Sequence, residues 1–487
     1  MNRQRLSRVG HGLIILVCIL LVAQSALAGQ PVQSAASTSA DGNTSSVQNI
    51  TSSGSTSGVT IVTTQEFSGN VKDGKLLAFD AQGELIFDDR SYDTYFDVDP
   101  VPDRRSTVEY LGSHYLNSSE CGGNVQCTRN AIVRHNLSTG ERDVLYSRMT
   151  PRKFATRWHD ADRINSSHYV IANLHRDTVF VVDTERNLTT WRWDAQKDLN
   201  LSSGGPYPKD WTHVNDVDVV GGDTYMISLR NQNQIVFVHR NGTLLENRTL
   251  NPDSDGSVIR KQHNPDYLKG SNGTRSVIVA DSNNDRIAEF ERTNSSWDLT
   301  WTWQDDRLGW PRDADRLPNG HTLITDTAGN RVVEIDEEGE VVWEATVPLP
   351  YEAERLGTGD ESEGGEPATQ LPLATTPASD QDSRSGNASS STETGTSTNS
   401  SAADADPSNG GESGGSNDGK SLKRIILDAL PQDVITAVAF ALPAWMNVFD
   451  VAYLLIGLSA TGSLALTELY FAGFRASVRS PVSVSRK

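Results

Sequence analysis

Four similar segments of the chain each open with a side chain of the kind that performs catalysis. These side chains are His159, His213, His263 and Arg312. A neutral imidazole can act as a nucleophile, a general base or a metal ligand, and a guanidinium group can neutralise an anion. The four residues are separated by roughly 50 positions, so any shared chemistry requires a repeating fold that brings them together.

The repeat consists of strands and turns. After each opening comes a short apolar run, a polar turn and a second apolar run, as in residues 322–324 and 331–335, and Glu338-Gly339 forms a hairpin turn before Glu340. A strand-only repeat of roughly 50 residues is typical of a propeller blade. We therefore predict an all-β, six-bladed β-propeller, with five or seven blades possible, whose first strand near Thr60 closes the ring against the last blade.

Composition divides the chain into five parts. We predict a signal peptide or N-terminal anchor at residues 1–28, a disordered linker at 29–58, the β-propeller domain at 59–350, a disordered acidic stalk rich in Ser, Gly and Thr at 351–420, and a membrane-anchor region at 421–487.

The C-terminal region is predicted to bind the chain to a membrane. Residues 451–473 are apolar over a length that could span a bilayer, and whether the apolar stretch before them forms a second span is left open. The tail that follows contains Arg475, Arg479, Arg486 and Lys487, so the positive-inside rule places it in the cytoplasm. The expected location is the cell membrane, with the propeller on the extracytoplasmic side.

Two further features are consistent with an exported protein. Cys121 and Cys127 form an isolated pair that we expect to be a disulfide. Asn-x-Ser/Thr sequences, which are candidate glycosylation sites, occur within the repeat region at Asn117, Asn136, Asn165, Asn187, Asn200, Asn241, Asn247, Asn272 and Asn294.

The charge of the chain argues against nucleic acid as a partner. There are 43 basic and 63 acidic residues, which gives a formal net charge of −20, and binding to phosphate backbones requires the opposite sign. The aspartates that recur in the repeat, Asp162, Asp218, Asp266 and Asp315, are expected to cap turns or accept hydrogen bonds from backbone amides. No cofactor and no metal ion are predicted.

The repeat also resembles a known family. Residues 158–162, 212–216, 262–264 and 317–324 are similar to motifs of the aryl-sulfate-dependent arylsulfotransferases, over less than half of the chain. That resemblance implies an exported six-bladed propeller with histidines and an arginine in the central channel. It further implies that a sulfuryl group passes from an aryl sulfate to a phenol through a sulfohistidine.

The resemblance implies a role for each candidate residue. His263 is expected to be the nucleophile, with His213 as the substitute, and His159 to be an acid–base or oxyanion partner. Arg312 would stabilise the charge on the sulfuryl oxygens. The partners would be a small aryl sulfate and a phenol, and no nucleotide sulfate donor is required.

Two other functions fit the same residues. The three histidines could instead bind a metal ion, with one coordination position left open, in a propeller hydrolase or lyase. Alternatively, the propeller could be a surface module that binds a glycan or a protein without catalysis.

Overall fold

A computed structural model of the chain describes residues 58–65, 74–123, 126–151, 156–221, 223–375 and 448–471. Within these ranges, 23 strands form six antiparallel sheets. The innermost strand of each sheet contacts the innermost strand of the next, and the contacts close into a ring. The predicted all-β, six-bladed β-propeller is therefore confirmed.

Each blade is an antiparallel sheet of three or four strands. Blade 1 contains β1 (Thr60–Thr64), β2 (Leu76–Phe79), β3 (Leu85–Asp89) and β23 (Pro350–Arg355), and blade 2 contains β4 (Thr94–Pro100), β5 (Thr107–Leu116), β6 (Cys127–Asn136) and β7 (Arg142–Pro151). Blade 3 contains β8 (Trp158–Asp160), β9 (His168–Asn173), β10 (Thr178–Asp183) and β11 (Leu188–Asp194), and blade 4 contains β12 (Val214–Val219), β13 (Thr224–Leu229) and β14 (Gln234–His239). Blade 5 contains β15 (His263–Lys269), β16 (Arg275–Asp281), β17 (Arg286–Arg292) and β18 (Trp297–Trp303), and blade 6 contains β19 (Pro311–Arg316), β20 (Thr322–Asp326), β21 (Arg331–Ile335) and β22 (Val341–Thr346). Two helices, α1 (Ala195–Asp198) and α2 (Val448–Phe471), complete the regular elements described, apart from short 3-10 turns at Leu174–Arg176, Arg230–Gln232, Glu246–Arg248, Ser282–Asn284 and Ala368–Gln370.

The ring closes through the two ends of the propeller sequence. Strand β23 pairs with β1 and becomes the innermost strand of blade 1, so the first strand pairs with the last strand within a single sheet. The propeller boundary predicted at 350 therefore falls one residue into a strand, and described structure continues through the start of the predicted stalk as far as residue 375. The reason is that Tyr351, Ala353 and Leu356 are buried between blades.

The hydrophobic core lies between blades. Six clusters of buried apolar side chains occur among the described residues. Each joins two neighbouring sheets around the ring, and the cluster between blades 2 and 3 also includes Tyr351 of blade 1. Burial of apolar area is the main stabilising contribution to such a fold, so stability is distributed over six interfaces. The central axis is left to polar side chains.

Every innermost strand has an irregularity at the same place. The pairing register shifts between Phe96 and Val98, Trp158 and Asp160, Val214 and Asp216, His263 and Asp266, Pro311 and Asp313, and opposite Tyr351. A β-bulge of this kind breaks the alternation of side chains along a strand and changes the direction of one of them. Six bulges at one level therefore allow consecutive residues to contribute side chains near the axis.

The two cysteines and the candidate glycosylation sites lie outside the channel. Cys121 and Cys127 are joined by a disulfide in the connection from β5 to β6. Eight of the nine sequon asparagines are exposed, and Asn136 is half-buried. In six of them the Asn side chain accepts a hydrogen bond from the backbone amide of the Ser or Thr two residues later, namely at Asn117, Asn136, Asn165, Asn200, Asn241 and Asn272. This arrangement is an Asx-turn, which accounts for much of the recurrence of the motif.

The described residues give no support to the predicted membrane span. Helix α2 covers 24 residues and overlaps the spanning helix that the sequence predicts at 451–473. Among the residues described, however, no helix is both long enough and apolar enough to cross a bilayer. The predicted signal peptide at 1–28, nearly all of the linker at 29–58, and most of the predicted stalk and anchor region lie outside the described residues.

Candidate functional site

The structure brings the four residues selected from the sequence to one end of the channel. His159 is in β8, His263 begins β15, Arg312 is in β19, and His213 directly precedes β12. The rings of His159 and His213 are 5.4 Å apart. The rings of His159 and His263 lie 6.1 Å and 6.5 Å from the ring of Tyr351, whose face is 5.4 Å from the guanidinium carbon of Arg312. The four side chains therefore surround a common space.

His213 does not share the blade position of the other two histidines. His159 and His263 occupy the same position of the repeat, directly before Asp160 and Asn264. In blade 4 this position is held by Asn215, directly before Asp216. His213 lies two residues earlier, with a left-handed φ of 49°. The expectation of one register was therefore correct for two histidines, and a turn conformation brings the third to the same place.

The Nδ1 atom of every histidine in the cluster lies beside an oxygen acceptor. The distances are 3.3 Å from His159 to the carbonyl of Arg157, 2.5 Å from His213 to a carboxylate oxygen of Asp210, and 2.7 Å from His263 to the hydroxyl of Ser282. An acceptor at Nδ1 selects the tautomer that is protonated there. Each imidazole therefore has its lone pair on Nε2.

The tautomer protonated at Nδ1 is best supported at His263. The hydroxyl of Ser282 donates its proton to the carbonyl of Pro311 at 2.6 Å, so towards His263 it can act only as an acceptor. The Nε2 atom of His263 is buried and has no hydrogen-bond partner among the described residues. It is a basic nitrogen that is held in place but unused.

The histidines are kept neutral by their surroundings. Burial, followed by the charge of Arg230, lowers the pKa of His213 to about 4. Burial likewise holds the pKa of His159 and of His263 well below the usual value for histidine, with the nearby Arg312 contributing to both. Burial also lowers the pKa of Arg312 to about 9, so the guanidinium remains charged at neutral pH.

Aromatic rings surround the guanidinium of Arg312. Its carbon lies 4.0 Å from the ring centre of Trp310, and the ring of Phe96 lies 4.6 Å from that of His159 and 4.9 Å from that of Tyr351. The Nε atom of Arg312 has no hydrogen-bond partner among the described residues. Neutral imidazoles, one cation and aromatic walls suit an aromatic anion.

The alternative of a three-histidine metal site is not supported by the geometry. Within the described part of the chain, two groups of side chains bring three ligand atoms within 4.8 Å of one another, and both consist of carboxylates. The three imidazoles form no such group, and the neighbouring Arg312 would repel a metal cation.

Several residues of the site were missed in the sequence analysis. Tyr351 belongs to a strand beyond the predicted end of the propeller, and Ser282 lies in a 3-10 turn with no distinctive sequence pattern. Trp310 and Asp210 were detectable, because they stand close before Arg312 and His213 in the connections that enter the inner strands.

Comparison with known proteins gives little beyond the architecture. No protein-family profile matches the chain, and no curated protein matches it. Among solved structures, a protein of unknown function from Bacteroides caccae is 12% identical over 61% of this chain and 98% of that chain, with a TM-score of 0.41. A periplasmic gluconolactonase from Pseudomonas aeruginosa is 12% identical over 62% of this chain and 99% of that chain, with a TM-score of 0.37. Virginiamycin B lyase from Staphylococcus aureus is 14% identical over 53% of this chain and 73% of that chain, with a TM-score of 0.32. The likeness to these proteins is too low to assign an activity, so the function must be argued from the side chains of the site.

Proposed function

We propose that this protein transfers a sulfuryl group from an aryl sulfate to a phenol, with His263 as the nucleophile. The observation that carries the proposal is the Nε2 atom of His263, which is buried, unprotonated and without a described hydrogen-bond partner, in the same space as the charged Arg312. The resemblance of the repeat motifs to arylsulfotransferases supports the same chemistry.

In the first half-reaction, Nε2 of His263 attacks the sulfur atom of the aryl sulfate. A nitrogen–sulfur bond forms, the bond from sulfur to the aryl oxygen breaks, and the phenolate leaves with the electron pair. The Nδ1–H of His263 keeps its hydrogen bond to Ser282 throughout. Arg312 stabilises the charge on the sulfuryl oxygens, and its own burial becomes less costly when an anion is bound.

In the second half-reaction, a phenol returns the enzyme to its starting state. The phenolic oxygen attacks sulfur, the nitrogen–sulfur bond breaks with its electron pair returning to Nε2 of His263, and Nε2 of His213 accepts the phenolic proton. Asp210 stabilises the imidazolium, which then releases the proton to solvent because the pKa of His213 is about 4. Although partial burial opposes it, His213, through its hydrogen bond and through its charge once protonated, and the charge of Arg230 lower the pKa of Asp210, so this carboxylate is ionised when it is needed. His213 is suited to this role because 18% of its side chain is exposed, whereas His263 is fully buried.

The experiment compares His263→Ala with His239→Ala. His239 ends an outer strand, and its Nδ1 accepts a hydrogen bond from the amide of Asn241 at 3.1 Å, far from the channel in the fold. Release of the phenol from a chromogenic aryl sulfate, with and without an acceptor phenol, gives the rate. We expect His263→Ala to lose at least ~10³-fold in kcat, because the covalent route is lost with the nucleophile, and His239→Ala to match the parent.

Mass spectrometry of quenched protein separates the steps. The parent and His239→Ala should gain one sulfuryl group that disappears when phenol is added, whereas His263→Ala should gain none. Full turnover by His263→Ala would exclude this nucleophile. A parent protein that releases phenol at the same rate without an acceptor would be a sulfate-ester hydrolase, and one that releases none would not be a sulfuryl transferase.

A further inference from the structure

The channel beyond the histidine cluster is lined by buried carboxylates. Five come from one position of the repeat, and these are Asp97, Asp160, Asp216, Asp313 and Glu352. Six come from two residues later, and these are Asp99, Asp218, Asp266, Asp315, Glu354 and the half-buried Asp162. Asp360 and Glu361, from the segment that follows β23, join them. In the part of the chain that the structure describes, none of these thirteen groups forms an ion pair with Lys, Arg or His.

Such a concentration of negative charge needs a counter-charge. Buried charges in proteins are paired or bound to metal ions, because an uncompensated one is very costly.

One group of carboxylates has the geometry of a cation site. Asp266, Asp313 and Asp315 each offer an oxygen within 4.8 Å of the others. One oxygen of Asp315, which is 2% exposed, has no hydrogen-bond partner among the described residues. The Oδ2 atom of Asp313 accepts a hydrogen bond from the amide of Ala353 at 3.0 Å, and the Oδ2 atom of Asp266 accepts one from the hydroxyl of Ser362.

A second group, Asp97, Asp99 and Glu352, is less suitable. Both oxygens of Glu352 already accept hydrogen bonds, one from the amide of Val98 and one from the side chain of Asn264, each at 2.9 Å. A cation there would have to displace part of the network that joins neighbouring blades. The group around Asp315 differs in that it contains a buried carboxylate oxygen, on Asp315, without a hydrogen-bond partner among the described residues.

A cavity borders the preferred group at Asp266. It has a volume of about 400 Å³, and its lining contains more acidic residues (Asp162, Asp218, Asp266, Asp360, Glu361 and Glu363) than basic ones (Arg163 and Lys269). Both carboxylate oxygens of Asp218, which is 4% exposed, lack hydrogen-bond partners among the described residues. The cavity lies towards the ends of the inner strands, whereas the histidines lie at their beginnings, so an ion would enter from the face opposite to the histidine cluster.

We propose that Asp266, Asp313 and Asp315 bind a Ca²⁺ ion in the central channel, reached through this cavity. Calcium prefers six to eight oxygen ligands, several of them carboxylates, and tolerates irregular geometry. Magnesium requires a smaller octahedral shell that retains several water molecules, and zinc prefers nitrogen and sulfur ligands. The site stabilises the ring of blades and is independent of sulfuryl transfer, so either proposal can fail alone.

The direct test measures calcium binding by the full chain, purified without a histidine tag and treated with EDTA. Calorimetric titration with CaCl₂, at an ionic strength fixed with KCl, should give one bound ion per chain. At a concentration one hundred times its dissociation constant, calcium should raise Tm by roughly 5–8 °C. The absence of stoichiometric binding, or an equal rise in Tm with KCl alone, would overturn the proposal.

The variant Asp315→Asn distinguishes a calcium ligand from a residue with a purely structural role, because the two roles predict opposite changes in Tm in EDTA. Asp315→Asn removes one of several repelling charges, so it should raise Tm in EDTA while weakening calcium binding at least ~10-fold. Asp298→Asn makes the same change on an exposed outer strand and should alter neither quantity. If Asp315→Asn lowers Tm equally with and without calcium, Asp315 is structural and the proposed site is wrong.

Discussion

The substitution Ser282→Ala tests whether the orientation of a single proton prepares His263 for attack. The buried Ser282 hydroxyl accepts from Nδ1 of His263 at 2.7 Å while donating to the carbonyl of Pro311 at 2.6 Å. Without the hydroxyl, a proton on Nδ1 would be buried without an acceptor. The imidazole can avoid this by moving the proton to Nε2, but that tautomer has no lone pair facing the substrate.

The expected loss follows from the cost of an unsatisfied buried donor. That cost is about 1–3 kcal/mol, and a bias of this size against the reactive tautomer lowers its population by about 5- to 150-fold. The loss should appear in kcat, because the binding of the aryl sulfate to Arg312 is unchanged. Single-turnover formation of the sulfohistidine, measured at saturating aryl sulfate, should slow by the same factor.

A matched control is available in the same blade. Ser276 is also fully buried, and its hydroxyl donates to Glu289 at 2.8 Å, away from the histidines. Ser276→Ala should lose a similar amount of stability, about 1 kcal/mol, but keep its kcat. Equal kcat values for Ser282→Ala and Ser276→Ala, or a change in KM alone for Ser282→Ala, would show that Ser282 does not set the tautomer of His263.

Three further predictions concern pH, the disulfide and a buried ion pair. The pKa of His213 is lowered to about 4 and that of His263 also lies well below normal, so kcat/KM should stay level from pH 8 to 5.5. A histidine of ordinary pKa would lose about tenfold of its neutral form over this range. A tenfold fall in kcat/KM would therefore contradict the prediction. Reducing the Cys121–Cys127 disulfide, which closes a short loop, should cost about 2 kcal/mol in thermal unfolding and leave turnover unchanged, whereas loss of turnover would show that this loop supports the site. Glu289→Ala leaves the buried Arg316 without its partner at 3.0 Å and should cost about 3–5 kcal/mol in denaturant titrations, with recovery on adding Arg316→Met; a cost below about 1 kcal/mol would contradict it.

Periodic patterns made most of the propeller predictable. Apolar runs separated by turn residues identified the strands of blades 3 to 6, and Trp193, Trp301 and Trp343 fall on outermost strands, as the repeat requires. The last strand was missed because acidic residues alternate with apolar ones in residues 350–355. Its Glu352 and Glu354 make this stretch resemble the acidic segment that follows. A strand contains these glutamates because they line the central channel, and the channel cannot be recognised from a local sequence pattern.

The site was predictable where it follows the repeat and was missed where it depends on turns. His159 and His263 were identified from a shared register. Trp310 and Asp210 precede inner strands at positions that vary between blades, and Ser282 meets His263 only through the folding of blade 5. The recurring acids were expected to accept hydrogen bonds from backbone amides. That expectation holds for Asp162, which accepts from Val219, but not for Asp218, whose oxygens lack described partners.

The histidine end of the channel must attract an anion, whereas the carboxylates at the other end attract cations. One residue, in blade 5, reduces the influence of the carboxylates on the histidine end. At the repeat position where the other five blades have Asp or Glu, blade 5 has Asn264, whose side-chain amide donates a hydrogen bond to Glu352 at 2.9 Å. An aspartate there would stand next to His263 in sequence, raise the pKa of its imidazole and repel an anionic substrate. The amide instead satisfies the nearest carboxylate and adds no charge. The six inner strands thus place neutral imidazoles and a guanidinium at one end of the channel and carboxylates beyond them. Asn264 reduces the negative electrostatic potential of these carboxylates at His263, the proposed nucleophile.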